Sequence, residues 1–119
     1  MNNPLFSILV ANFNNSAYLS TAIDSVFSQS YTNWEIIIVD DASTDNSIKT
    51  VKKYLHDKRI QLYINEENKG CGFTKKKCIE LATGKYCGFL DPDDSLDKNA
   101  IHQMVNVLEK NKDYSLAYS

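Results

Sequence analysis

Two acidic pairs dominate the chemistry this sequence can offer. Asp40-Asp41 opens the run Asp40-Asp41-Ala42-Ser43-Thr44-Asp45, and Asp91-Pro92-Asp93 is followed by Asp94. Two unpaired carboxylates about 4 Å apart repel by roughly 4 kcal/mol at an effective dielectric of about 20, so such clusters call for a cation or hydrogen-bond donors. Asp91 and Asp93 suit magnesium or manganese, which take one or two protein carboxylates and complete their shell with water and substrate phosphates. Asp40 and Asp41 can instead accept hydrogen bonds from nucleobase N–H groups or ribose hydroxyls. A third cluster, Asn12-Phe13-Asn14-Asn15, brings one aromatic ring that can lie against a base or simply pack. Each cluster also has an ordinary structural reading as turns and helix caps, and Asp45, Asp94 and Asp97 are read in that way. Lys75-Lys76-Lys77 is the one dense basic run; a solvated face is its usual fate, and one lysine is well placed for a diphosphate. Gly70 and Gly72 match no phosphate-loop spacing, and His56 and His102 read as exposed helical residues without metal-ligand spacing.

Composition limits what these clusters can serve. The chain has 119 residues, 13 basic and 15 acidic side chains, and a net charge of -2, so it has no overall field for gathering nucleic acid or anionic membrane. Its 43% apolar content is ordinary for one globular domain with its own core. Met1-Asn2-Asn3-Pro4 lacks the basic flank of a secretory signal, and no apolar run approaches the roughly 20 residues of a membrane span. Cys71, Cys78 and Cys87 match neither a zinc nor a redox pattern and read as reduced thiols of a cytoplasmic protein.

The elements that must position the clusters alternate in type. Leu5 to Ala11, Trp34 to Asp40, Ile60 to Asn65 and Tyr86 to Asp91 read as strands, the third nearer a sheet edge, and Tyr114 to Tyr118 as the opening of a fifth. Leu19, Ala22, Ile23, Val26 and Phe27 form the apolar face of a helix over about 16–28. A second helix, capped by Ser43 or Thr44, turns Ile48, Val51 and Leu55 inward. A third turns Cys78, Ile79 and Ala82 inward and ends at Gly84. The last, capped by Ser95 or Asp97, carries the stripe Ile101, Met104, Val105 and Leu108. Strands separated by single helices predict an α/β fold, a mostly parallel sheet flanked by helices. Ligands of such sheets bind beyond the carboxyl ends of the strands, where strand order reverses. The three polar clusters all follow strands, so they share that edge.

The succession Ser7-Ile8-Leu9-Val10-Ala11-Asn12-Phe13-Asn14, Glu35-Ile36-Ile37-Ile38-Val39-Asp40-Asp41-Ala42-Ser43-Thr44-Asp45, Asn68-Lys69-Gly70, Thr83-Gly84-Lys85-Tyr86 and Phe89-Leu90-Asp91-Pro92-Asp93-Asp94 resembles the nucleotide-sugar-binding half of inverting family-2 glycosyltransferases of GT-A fold. The resemblance spans nearly the whole chain and implies that residues 1–119 form that half, without the acceptor-binding part. It implies a donor site of Ala11, Phe13, Asn14, Asp40, Asp41, Lys75, Asp91, Pro92 and Asp93. In it Phe13, Asp40 and Asp41 would cradle the base and ribose, commonly of UDP. Asp91 to Asp93 would be the Asp-x-Asp element, with Asp93 the metal ligand and Asp91 nearer the ribose, the metal being Mg2+ or Mn2+. The implied acceptor is a glycan or lipid-linked glycan, assembled at the cytoplasmic face of a membrane. Ala11-Asn12-Phe13-Asn14 stands where the family often has Pro-x-Tyr-Asn, and Thr74-Lys75-Lys76 where many members have Ala-Arg-Asn. Lysine supplies charge there without the bidentate fork of arginine. Beyond Asp97 only Asp113 offers a loop acid, so the general base for inversion is expected farther along a longer chain.

Two other classes fit parts of the pattern. A phospho-accepting receiver domain is also α/β with clustered acids, but its acid pair follows the first strand and its accepting Asp the third. A non-catalytic nucleotide-binding or interaction module would use the same fold without transfer.

Overall fold

The computed structural model describes residues 3–111 and the backbone of residues 116–118. The strands are β1 (Phe6–Asn12), β2 (Trp34–Asp40), β3 (Ile60–Ile64), β4 (Tyr86–Phe89) and β5 (Leu116–Tyr118). They form one sheet in the order β3-β2-β1-β4-β5, and every pairing is parallel. The expected α/β sheet is therefore present, with β3 at an edge. The chain steps outward from β1 to β3 and then returns to pair β4 on the other side of β1, so strand order reverses between β1 and β4.

Alternation along the strands divides two cores. Phe6, Ile8 and Val10 of β1 join Trp34, Ile36 and Ile38 of β2 on one face, under α1 (Ser16–Phe27), α2 (Ser47–Lys52) and α4 (Ala100–Lys110). Leu9, Ile37 and Val39 face the other way and meet Cys78 of α3 (Cys71–Leu81). All seven residues of β2 are buried, as its unbroken apolar run requires of a strand covered on both faces. The α1 face Leu19, Ala22, Ile23 and Val26 is buried, as are Ile101, Val105 and Leu108 of α4.

The two shorter helices depart from expectation. Ser43 and Thr44 cap nothing: α2 starts after Asn46, because the Ser43 amide and hydroxyl both donate to Asp40, at 2.8 and 2.7 Å. The buried side of α2 is Ser47, Thr50 and Val51, while Leu55 lies past its end and is exposed. In α3 only Thr74 and Cys78 are buried; Ile79 is exposed and the helix closes at Ala82, not Gly84. Likewise α4 starts after Asn99 rather than at Ser95 or Asp97, and His56 sits in a turn rather than a helix. Asp113, Tyr114 and Ser115 lie outside the described residues.

Candidate functional site

The reversal of strand order creates the crevice between the carboxyl ends of β1 and β4 at which parallel sheets bind ligands. An open cleft of about 570 Å³ lies there. Its walls are Ala11, Asn12, Phe13 and Asn15 after β1, Asp41 after β2, and Asn68 and Gly70 after β3. Cys71, Thr74 and Lys75 of α3 and Asp91, Pro92 and Asp93 after β4 complete it. Seven of the nine expected site residues, Ala11, Phe13, Asp41, Lys75, Asp91, Pro92 and Asp93, are thus brought to one cavity.

Asp40 and Asn14 are not among the lining residues, and their hydrogen bonds give the reason. Asp40 is 1% exposed; its carboxylate accepts the Asn12 side-chain amide at 2.9 Å in addition to both Ser43 donors. It is spent inside the protein, holding the β1 and β2 ends together. Asn14, at a left-handed φ of 53°, accepts the Thr44 and Asp45 amides on its side-chain oxygen and joins the same two loops. Asparagine tolerates that backbone geometry better than most residues.

Asp41 differs from its neighbour. Its carboxylate accepts the Lys69 amide at 2.7 Å, the Gly70 amide at 2.9 Å and the Asn65 side chain at 3.0 Å. Burial pushes its pKa up, but these donors, led by the Lys69 amide, outweigh burial and hold it below the usual carboxylate value. Asp41 is therefore an anion at neutral pH that fixes the loop between β3 and α3 while lining the cleft. Gly70, at φ 92°, adopts the conformation this loop needs immediately before α3.

Asp91 and Asp93 present the opposite picture. Both are exposed, and no hydrogen bond or ion pair engages either side chain among the described residues. No third His, Cys, Asp or Glu joins them in a cluster able to enclose a metal among the described residues. Two free, hard carboxylates at a cleft rim fit a cation that draws its other ligands from water and phosphate. The Lys75 ammonium lies 5.6 Å from the Phe89 ring centroid, on the same side of the cleft as the α3 N-terminus. Phe13 is 44% exposed, so its ring is open to a planar ligand.

The cleft also recruits Cys71 and Thr74, for which the sequence held no functional reading. Thr74 is buried and donates to the Gly70 carbonyl at 2.8 Å, a local contact that no side-chain pattern announces.

A parallel α/β sheet with a cleft at its switch point, lined by Asp41, Asp91 and Asp93, belongs to the class of open α/β folds that carry their sites beyond the carboxyl ends of the strands. The glycosyl transferase family 2 profile matches residues 7–118, and the chain belongs to that family. It is 37% identical over 106 residues to the putative teichuronic acid biosynthesis glycosyltransferase TuaG of Bacillus subtilis, covering 88% of this chain and 42% of TuaG. It is 34% identical over 111 residues to WfgD of Escherichia coli, a UDP-Glc:alpha-D-GlcNAc-diphosphoundecaprenol beta-1,3-glucosyltransferase, covering 93% of this chain and 44% of WfgD. The chain thus spans less than half the length of these relatives. Among solved structures, Staphylococcus aureus TarS 1-349 in complex with UDP-GlcNAc superposes with a TM-score of 0.83 at 25% identity, over 90% of this chain and 32% of that one. The mannosyltransferase PcManGT from Pyrobaculum calidifontis, in complex with GDP-Man and Mn2+, shares the fold at TM-score 0.83 and 21% identity, over 90% of this chain and 33% of that one.

Proposed function

We propose that this chain is the donor-binding portion of a glycosyltransferase that moves a sugar, with inversion, from a nucleotide-sugar to a glycan or lipid-linked acceptor. The donor is a UDP-sugar. The observation that carries this reading is the convergence of Phe13, Asp41, Lys75, Asp91 and Asp93 on one cleft at the strand reversal. The UDP-GlcNAc complex of TarS and the donor named for WfgD support uridine as the nucleoside.

In this reading Phe13 lies against the uracil ring and Asp41 closes the base and ribose pocket, with Ala11 forming its floor. Asp40 and Asn14 act behind them as positioning residues. Asp91 approaches the ribose, Pro92 stiffens the turn, and Lys75 meets the diphosphate as a point charge. Asp93, with Asp91, would hold Mg2+ or Mn2+, whose charge would offset the charge developing on a departing diphosphate. Inversion requires a base on the opposite face of the sugar, and that residue belongs to a further part of a longer protein. The site is read as cytoplasmic and the longer protein as peripheral to the membrane. A receiver-domain reading is less well supported, because the segment after β1 offers Asn12, Phe13 and Asn14 where that arrangement needs acids.

Thermal unfolding tests the reading directly. A ligand bound only by the folded state adds RT ln(1 + [L]/Kd), about 2.7 kcal/mol at a hundredfold excess over Kd. UDP with Mn2+ is expected to raise Tm more than UDP with a chelator, and Asp93→Asn, an exposed substitution, to abolish that difference while leaving the unliganded Tm unchanged. Identical melting with UDP, GDP and dTDP, each with metal, and without nucleotide would refute the proposal.

A further inference from the structure

The sheet edge away from β4 carries a concentration of charge that the sequence spreads out and the helix gathers. Ser47, Thr50 and Val51 of α2, continued by the half-buried Tyr54 in the turn beyond it, face the protein at i, i+3, i+4 and i+7. Lys49 and Lys52 lie on the exposed side of α2, and Lys53, His56 and Lys58 follow in the turns beyond it, all exposed. None of these four lysines has an ion-pair partner among the described residues. Asp57 is paired with Arg59 at 2.9 Å, while Asp24 of α1, which accepts the Tyr54 hydroxyl at 2.9 Å, and Asp45, four residues before Lys49, make no ion pair with these lysines. The chain as a whole is at -2, so this cationic face is offset by an acidic remainder that includes the Asp91, Asp93 and Asp94 rim.

We propose that the exposed face of α2 and its following turn docks on an anionic lipid bilayer. Four flexible ammonium groups without a free arginine fork suit a diffuse negative surface better than a stereospecific phosphate pocket. Arg59 is unavailable for such a fork, being held by Asp57 and stacked 3.8 Å from the Trp34 ring centroid. Leu55, 38% exposed within the same turn, adds an apolar side chain at the level of the lysines, which favours a membrane interface over water. A single-stranded nucleic acid would want exposed aromatic rings among the cations, and here Tyr54 is half-buried against the core, leaving the His56 imidazole as the exposed ring. The choice of a bilayer rests on the proposed function insofar as a lipid-linked acceptor would lie in one; the charge distribution does not.

Co-sedimentation of the 119-residue protein, without nucleotide, with phosphatidylcholine vesicles that contain or lack phosphatidylglycerol tests this. The net-negative protein is expected to partition onto the anionic vesicles alone, and to be released as salt rises. Each lysine near such a surface multiplies partitioning by about fivefold, so Lys52→Gln/Lys53→Gln is expected to weaken it by about 25-fold. Lys76→Gln/Lys98→Gln makes the same change in net charge elsewhere and is expected to change it less than about twofold, as only charges within a Debye length of the lipid count. Equal loss in both variants, no partitioning at low salt, or capture by a single-stranded oligonucleotide in preference to the anionic vesicles would overturn the proposal. The UDP-dependent rise in Tm is measured alongside: in the unsubstituted protein its presence without vesicle binding would sink the docking surface alone, its absence beside intact vesicle binding would sink the donor-site reading alone, and in Lys52→Gln/Lys53→Gln it is expected to persist as vesicle binding falls.

Discussion

Asp40 and Asp41 are adjacent and chemically identical, yet they do different work. Neighbouring residues at the end of a strand point to opposite sides, so one carboxylate turns under Asn12 and Ser43 while the other turns to the Lys69 and Gly70 amides and the cleft. The pair is legible in sequence as a site signal; which member lines the cleft is decided by donors that lie 28 residues away. The three cysteines sort themselves in the same manner. Burial pushes the Cys78 thiol up to about 12 and raises Cys87 as well, whereas Cys71 is exposed and lines the cleft. The thiolate is the reactive form, so at pH 8 one equivalent of a thiol reagent is expected to react quickly, at Cys71, the half-buried Cys87 more slowly, and the buried Cys78 only on unfolding. Saturating UDP with Mn2+ is expected to slow that first reaction severalfold. Peptide mapping of the alkylated residue checks both points, and an unchanged rate under saturating nucleotide would separate Cys71 from the donor site.

At the scale of elements, what could be read in advance was what burial enforces. The strands and the faces of α1 and α4 are written in apolar periodicity because each must cover a core. The start of α2 is not, because it is set by polar contacts between loops: Asp45 accepts the amide of Ser47 at 2.9 Å and that of Ser16, 29 residues away, at 3.0 Å, and so ties α1 and α2 together. A further polar knot, at the amino end of the sheet opposite the cleft, leaves no periodic signature in the sequence. The buried Glu35 carboxylate accepts the Ser7 hydroxyl at 2.5 Å and the Thr83 amide at 2.8 Å, and Ser7 in turn accepts the Gly84 amide at 2.8 Å. Gly84 is confined there by backbone as well as side chain: a Cβ would sit 2.6 Å from the Ser7 hydroxyl oxygen and 2.7 Å from the Leu5 carbonyl oxygen. Gly84→Ala must therefore displace the turn from α3 into β4. Its expected cost is about 1–3 kcal/mol of stability by denaturant unfolding, with UDP affinity unchanged in the folded protein. A fully stable Gly84→Ala variant would show that the turn yields without cost.

Across the whole molecule, ionisable groups limit the fold on both the acid and the alkaline side. Burial raises Asp45, but bonds from Ser47 and Ser16 outweigh it and bring its pKa from 3.8 down to about 2. Asp41 and Asp57 are lowered too, the latter chiefly by its Arg59 hydrogen bonds. A carboxyl with a lower pKa in the folded state stabilises fully above its unfolded value, here 3.8, and loses that contribution as pH falls through the folded one. The alkaline limb has the opposite origin. Cys78 is raised by burial from 9.0, and Tyr31, Tyr54 and Tyr86 are raised from 10.0, Tyr86 chiefly by its hydrogen bond to Glu109. Groups raised on folding stabilise below their unfolded values and cease to do so as pH climbs past them. Tm is therefore expected to be nearly flat from about pH 5 to 8, to fall below about pH 4 as the Asp41 and Asp45 ties protonate, and to fall again above about pH 9. Melting curves by circular dichroism across that range check the profile. Asp45→Asn is expected to lower Tm at pH 7 while flattening the acid limb, because it removes a titrating group that bridges two helices. A Tm that rises between pH 4 and 3 in the unsubstituted protein would mean that these carboxylates gain nothing from the fold, and the polar ties from β1 and β2 to the cleft would then have to be held by the backbone alone.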